Sequence, residues 1–273
     1  MNDVQAQVGR IRSAFKRARA EGRPAIIPYI AAGDPDLTTT QKIVGALQRG
    51  GADIVEIGVP FSDPIADGPV NQRAAERALR NGTSIRSVLG LCAQLRADDA
   101  PPLVLFTYYN PIHRMGIREF AQAAAQAGVD GVLVTDLPVE EADDLDEALL
   151  ECGIDMIFLL APTSTRERIE RTCGRARGFI YFISRTGVTG ARERLPEGLE
   201  ARVRAVRETC PLPIAVGFGI STGTQVEEVA GFADGVVVGS ALVRLIEEFS
   251  GADDLTVRVE RFCRDLIPSG EGA

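Results

Sequence analysis

Three carboxylates lie close together in one stretch of the chain, DIVEIGVPFSDPIADGPVN from Asp53 to Asn71: Glu56, Asp63 and Asp67. The stretch opens as a short apolar run that reads as a strand. It becomes loop where Gly58, Pro60, Pro64, Gly68 and Pro69 break the pattern. Glu56 shares a strand face with Ile54, opposite Val55 and Ile57, so it is expected to point into the cavity at the strand's end. A charge buried there is costly unless it has a use or a pairing arginine. Asp63 and Asp67 sit on a loop stiffened by prolines, where aspartates equally make Asx turns, so spacing alone leaves their roles open.

A second group of residues is suited to holding an anion. GFGIS (Gly217 to Ser221) and VVVGS (Val236 to Ser240) each join a strand end, glycine, serine and a helix start, and TGVTG (Thr186 to Gly190) lies on the preceding long loop. Glycines allow close backbone approach, and helix N-termini offer unpaired N–H groups. Ordinary turn chemistry uses the same residues, but two such turns in succession point to a phosphate site. Tyr108 and Tyr181 fall near the ends of two further strands, as lining residues or proton donors. His113 is the only histidine, which makes a multi-histidine metal centre or a histidine-centred triad hard to build. The only lysines, Lys16 and Lys42, are expected on helices, away from Schiff-base positions.

The elements that must position these groups alternate along the chain. Val4, Val8, Ile11 and Phe15 form the stripe of an N-terminal amphipathic helix expected to pack against one end of the domain. Strands are expected at 25–32, 54–57, 103–108, 131–135, 155–160, 178–183, 213–216 and 235–238. Helices are expected at 37–50, across 73–96, at 117–127 and 140–151, from 165, at 197–209 and 225–230, directly after GS at 239–240, and at 255–266. Eight strand-helix units without a linker predict a single (β/α)8 barrel over residues 1–273, with long loops after strands 2 and 6 and a flexible tail at 268–273. A doubly wound open sheet is the alternative, and both folds place ligands at the carboxyl ends of the strands.

The chain has 273 residues, 45% of them hydrophobic, and no apolar run long enough to cross a membrane. Its start lacks the pattern of a secretion signal, so a cytoplasmic location is expected. Five scattered cysteines suit reduced thiols. A net charge of −8 with no basic block argues against nucleic acid as a partner, and a phosphorylated ligand would need a local backbone site. The residues thus predict a small phosphorylated substrate handled by carboxylates, without choosing among isomerase, epimerase and lyase.

PYIAAGDP, EIGVPFSDPIADGP, YYNPI, DLPVEE, SRTGVTG, GFGIS and GSALV, in this order, resemble the tryptophan synthase α subunit family over nearly the whole chain. The resemblance implies retro-aldol cleavage of indole-3-glycerol phosphate to indole and glyceraldehyde 3-phosphate. It implies Glu56 as the acid-base group at indole C3 and Asp67 as acceptor of the indole N–H. Tyr181 would stand beside Glu56, with Tyr108 lining the pocket. Thr189, Gly190, Gly219, Gly239 and Ser240 would hold the phosphate, and Phe218 would pack nearby. No cofactor is implied for this chain. A pyridoxal-phosphate β subunit is the implied partner in an α2β2 assembly, receiving indole through a tunnel, and Pro60 and Asp63 are expected at that interface. The loops 60–69 and 184–194 would serve as both lid and interface. Asn71, Ala31 and Phe106 depart from the family's usual isoleucine, threonine and methionine. Intact Glu56 and Asp67 argue against a catalytically silent subunit, while a free-standing lyase remains the competing reading.

Overall fold

A computed structural model of the protein describes residues 9–183, 195–217 and 219–268. Eight parallel strands close into a barrel in chain order: β1 (Ala25–Ala31), β2 (Val55–Gly58), β3 (Leu103–Thr107), β4 (Gly131–Val134), β5 (Asp155–Leu160), β6 (Ile180–Ile183), β7 (Ile214–Gly217) and β8 (Gly235–Val238). Pairing of β8 with β1 closes the ring and rules out the open sheet. The helices among the described residues are α1 (Arg10–Ala20), α2 (Leu37–Arg49), α3 (Pro69–Arg80), α4 (Ile85–Ala97), α5 (Tyr109–Met115), α6 (Ile117–Gln126), α7 (Asp143–Glu151), α8 (Arg166–Arg175), α9 (Leu199–Arg207), α10 (Gly223–Ala230), α11 (Ser240–Glu248) and α12 (Leu255–Arg264).

Alternation along the strands divides the core in two. Ile27, Ile54, Val104, Leu133, Ile157, Tyr181, Ala215 and Val237 fill the barrel interior. Ile26, Ile30, Val55, Ile57, Leu103 and Leu105 face outward into the layer shared with the helices. Helix α1 lies across the N-terminal ends of the strands, where Ile11, Ala14, Phe15 and Ala18 join the interior cluster. Phe15 packs on Phe179 with ring centroids 5.5 Å apart. A Cβ on Gly131 would come within 2.9 Å of Ile11, and one on Gly235 within 2.8 Å of Phe15, so these strands begin with glycine to admit the plug. The expected N-terminal stripe is therefore present in Ile11 and Phe15, while Val4 and Val8 lie outside the described residues.

Several boundaries differ from the sequence reading for local reasons. The span expected at 73–96 is two helices, and the first starts earlier, at Pro69, where proline's fixed φ suits the opening turn. Helix α5, which carries His113, fills the gap between the strand expected at 103–108 and the helix expected at 117–127, and it contains Pro111. That residue lies within the helix's first turn, where a missing N–H costs nothing, and His113 is accordingly on an exposed helix face. Strand β6 begins only at Ile180 because Gly178 turns the chain at φ +71°. All five cysteines are free thiols.

Candidate functional site

The carboxyl end of the barrel gathers the acidic and phenolic groups. Register places Glu56 on β2 beside Tyr29 on β1 and Val104 on β3, on the interior face shared with Ile54. Glu56 is fully buried, and neither carboxylate oxygen has a hydrogen-bond partner among the described residues. With no arginine to pair with, burial alone pushes its pKa up to about 8. At neutral pH it is a protonated acid, poised to donate.

Asp67 is held differently. The Tyr108 hydroxyl donates to Asp67 Oδ2 at 2.9 Å and accepts from the Ala66 N–H at 3.0 Å, which ties the loop to the end of β3. The Asn71 side chain lies close enough to Asp67 to favour its charged form as well. Gln72 Nε2 donates to the Asp67 carbonyl at 2.8 Å and fixes the loop against α3. Burial raises the Asp67 pKa while the hydrogen bonds from Tyr108 and Asn71 oppose that rise. The two carboxylates thus occupy opposite environments. Burial raises both carboxyls, but Glu56 has no donor facing it whereas Asp67 accepts from the Tyr108 hydroxyl, so the charged form is better supported at Asp67.

Tyr29 and Tyr181 complete the interior wall. Burial first, then the negative field of the carboxylates, raises both hydroxyl pKa values well above the ordinary tyrosine range, so both stay protonated. Each hydroxyl lies over an inward-facing glycine. A Cβ on Gly58 would overlap the Tyr29 hydroxyl, and one on Gly217 the Tyr181 hydroxyl. Gly58, read from the sequence as a loop breaker, is the last residue of β2 and leaves room for a ring. Phe106 packs edge-on against Tyr29 at 5.2 Å, and Phe61 covers Tyr108 at 5.1 Å.

Beside this wall stands the N-terminus of α11. Gly239 caps α11, and Ser240, 9% exposed, is the helix's first residue. A Cβ on Gly239 would touch the Tyr29 ring at 3.5 Å, which puts that helix N-terminus next to the carboxylate pocket. Gly219 has φ +90°, a conformation that favours glycine, and Thr222 caps α10 by accepting from the Gln225 N–H at 3.3 Å. Thr189, Gly190 and Phe218 lie outside the described residues. The structure therefore brings together Glu56, Asp67, Tyr108, Tyr181, Gly239 and Ser240. Asp63 is exposed at the loop surface, accepting from the Ser62 hydroxyl at 2.6 Å, whereas Pro60 is buried within the chain. A face for another protein would be made by Asp63 and Ile65, the latter 82% exposed.

Sequence reasoning missed Tyr29, Ile65 and the grip of Asn71 on Asp67. For Tyr29 the signal was present, since the alternation that turns Glu56 inward also turns Ile27, Tyr29 and Ala31 inward. The Asn71 contact needed the start of α3 to be placed at Pro69.

Residues 15–268 match the family described as Tryptophan synthase alpha chain. A tryptophan synthase alpha chain of Geobacter sp. (strain M21) is 51% identical over 246 residues, covering 90% of this chain and 92% of that one. A Mycobacterium tuberculosis tryptophan synthase structure is 38% identical with TM-score 0.87, over 94% of this chain and 96% of that chain. A Pyrococcus furiosus structure, described for mutual activation of the tryptophan synthase α2β2 complex, is 41% identical with TM-score 0.83, over 89% and 98%.

Proposed function

This chain belongs to the tryptophan synthase alpha chain family, and on that premise we propose that it is the lyase subunit that cleaves indole-3-glycerol phosphate and hands indole to a β subunit. The observation that carries the reading is the contrast between the two carboxylates: Glu56 buried without a partner and raised to about 8, and Asp67 held by the Tyr108 hydroxyl.

Neutral Glu56 donates its proton to indole C3. The ring becomes an iminium cation, and Asp67 accepts a hydrogen bond from the now more acidic ring N–H. The Glu56 carboxylate then takes the proton from the hydroxyl on the carbon attached to C3. As that oxygen forms the aldehyde carbonyl, the carbon–carbon bond breaks and its electron pair returns to the ring. Indole and glyceraldehyde 3-phosphate leave, and Glu56 is neutral again. The protonated ring is the electron sink, so the reaction requires neither a lysine Schiff base nor a cofactor in this chain. Protonated Tyr181 stands beside this proton traffic, and the N-terminus of α11 at Gly239 and Ser240 takes the phosphate.

Two further parts of the proposal concern assembly and location. An α2β2 assembly with a pyridoxal-phosphate β subunit is supported by the relatives of that assembly and by exposed Ile65 and Asp63 on the loop that also carries Asp67. A cytoplasmic site of action is in keeping with the lack of any helix among the described residues long and apolar enough to cross a membrane. The test is an indole-release assay of the full chain with indole-3-glycerol phosphate, with and without a β subunit. Indole release that rises sharply on adding the β subunit is expected. No release in either case would overturn the lyase reading, and full activity indifferent to the β subunit would leave a free-standing lyase instead.

A further inference from the structure

Asn71 lies in the first turn of α3, four residues beyond Asp67, and is 8% exposed. An amide side chain has donors on one side and an acceptor on the other. The side chain lies against Asp67, whose charged form it favours. The acceptor, Oδ1, is buried with no hydrogen-bond partner among the described residues. Buried acceptors are rarely left in this state, since the group has given up water and gained nothing in return.

Nothing adjacent among the described residues supplies the missing donor. Val70 and Ala74, on the same helix, belong to an apolar cluster with Ala31, Val243 and the ring of Tyr29. The Tyr108 hydroxyl, the nearest phenol on the Asp67 side, is already committed to Asp67. A ligand entering the pocket would bring such a donor. On the lyase reading, on which this inference rests, the substrate's aromatic ring has one donor, its N–H, and that N–H approaches Asp67.

We propose that Asn71 is a substrate-contact residue: its Oδ1 and the Asp67 carboxylate together form a two-acceptor cradle for the N–H of the indole ring. The same side chain thereby orients one acceptor and supplies the other. When C3 is protonated the ring N–H gains positive character, so both contacts strengthen as the transition state forms, and the polar residue favours turnover more than ground-state binding.

The test is a binding cycle on the full chain with two non-cleavable probes: 3-indolylpropyl phosphate and its benzothiophene counterpart, in which sulfur replaces the N–H. Asn71→Leu, which keeps the volume and removes the acceptor, is measured in the wild-type and Asp67→Asn backgrounds by calorimetry. The indolyl probe is expected to bind about 5-fold more weakly to Asn71→Leu in both backgrounds, and the benzothienyl probe equally well or better. Retained benzothienyl binding also shows that the variant is folded. Equal loss for both probes would overturn the proposal and leave Asn71 a packing residue. A loss that vanishes in the Asp67→Asn background would overturn it too, showing that Asn71 only orients Asp67. Both outcomes spare the lyase reading. A wild-type chain that binds neither probe and releases no indole overturns that reading, and the cradle with it.

Discussion

At the scale of single residues, Glu56 couples stability to catalysis. Glu56→Gln is expected to lower kcat by at least ~10²-fold, the contribution of one well-placed proton donor, and to leave binding of a phosphate-bearing probe nearly unchanged. Wild-type kcat/KM should fall as pH rises through about 8, where the donor is lost. The stability effect has a definite sign. Glu56 releases its proton near 4.5 when unfolded and near 8 when folded, so between those values the folded state binds more protons and stability declines as pH rises. Glutamine cannot ionise. The Glu56→Gln protein should match wild type near pH 4 and exceed it increasingly towards pH 8, by about 2 to 4 kcal/mol, in denaturant unfolding followed across pH. A variant no more stable than wild type at pH 8 would show that the carboxyl finds a partner or water. Gly217→Ala tests the wall in another way. Its methyl displaces the Tyr181 hydroxyl, and a clear loss of kcat with the chain still folded is expected, read by steady-state kinetics beside circular dichroism.

At the scale of elements, α3 and α11 are bound to each other through charge. Asp34, at the end of β1, pairs in two-pronged fashion with Arg77 of α3 at 2.7 and 2.8 Å. Arg77 and Arg73 both reach Glu247 of α11, at 2.7 and 2.8 Å. Helix α3 carries Asn71, and α11 begins at Ser240, so the network fixes the spacing between these two helix starts, which on the proposed reading are the aromatic and phosphate ends of the pocket. Arg73 first, then Arg77, lowers the Glu247 pKa to about 2. A lowered carboxyl adds stability above its unfolded pKa and loses it as pH falls towards about 2. Because Glu247 is partly exposed, Glu247→Gln is expected to cost only about 1 kcal/mol at pH 7, a difference that disappears near pH 2 in urea unfolding. This network was not legible in the sequence, where arginines and glutamates on helices read as solvated faces. What was legible followed from period: the apolar runs that became β2, β4 and β8, and the inward turn of Glu56 relative to Val55. The start of α3 and all of α5 were obscured by Pro69 and Pro111, each of which breaks a helix in its interior and is harmless in its first turn.

For the whole molecule, the repeat of eight strand-helix units foretold the barrel, because no linker interrupts it and each strand needs a covering helix. The loop 60–69 was expected at a partner interface through its resemblance to the family, but Ile65 was not singled out within it, since in sequence it looks like one more apolar residue and only its 82% exposure marks it. Ile65→Ser should leave the unfolding midpoint and basal rate of the isolated chain unchanged while weakening β-subunit activation about 5-fold or more, read as the β-subunit concentration giving half-maximal indole release. Unchanged activation would place the contact elsewhere. The plug made by Ile11 and Phe15 has one more consequence, for traffic. Ile11 and Phe15 fill the amino-terminal end of the barrel interior, so the approach to Glu56 that the described residues leave lies at the carboxyl ends of the strands. On the proposed reading, a partner seated there would stand over the route by which substrate arrives.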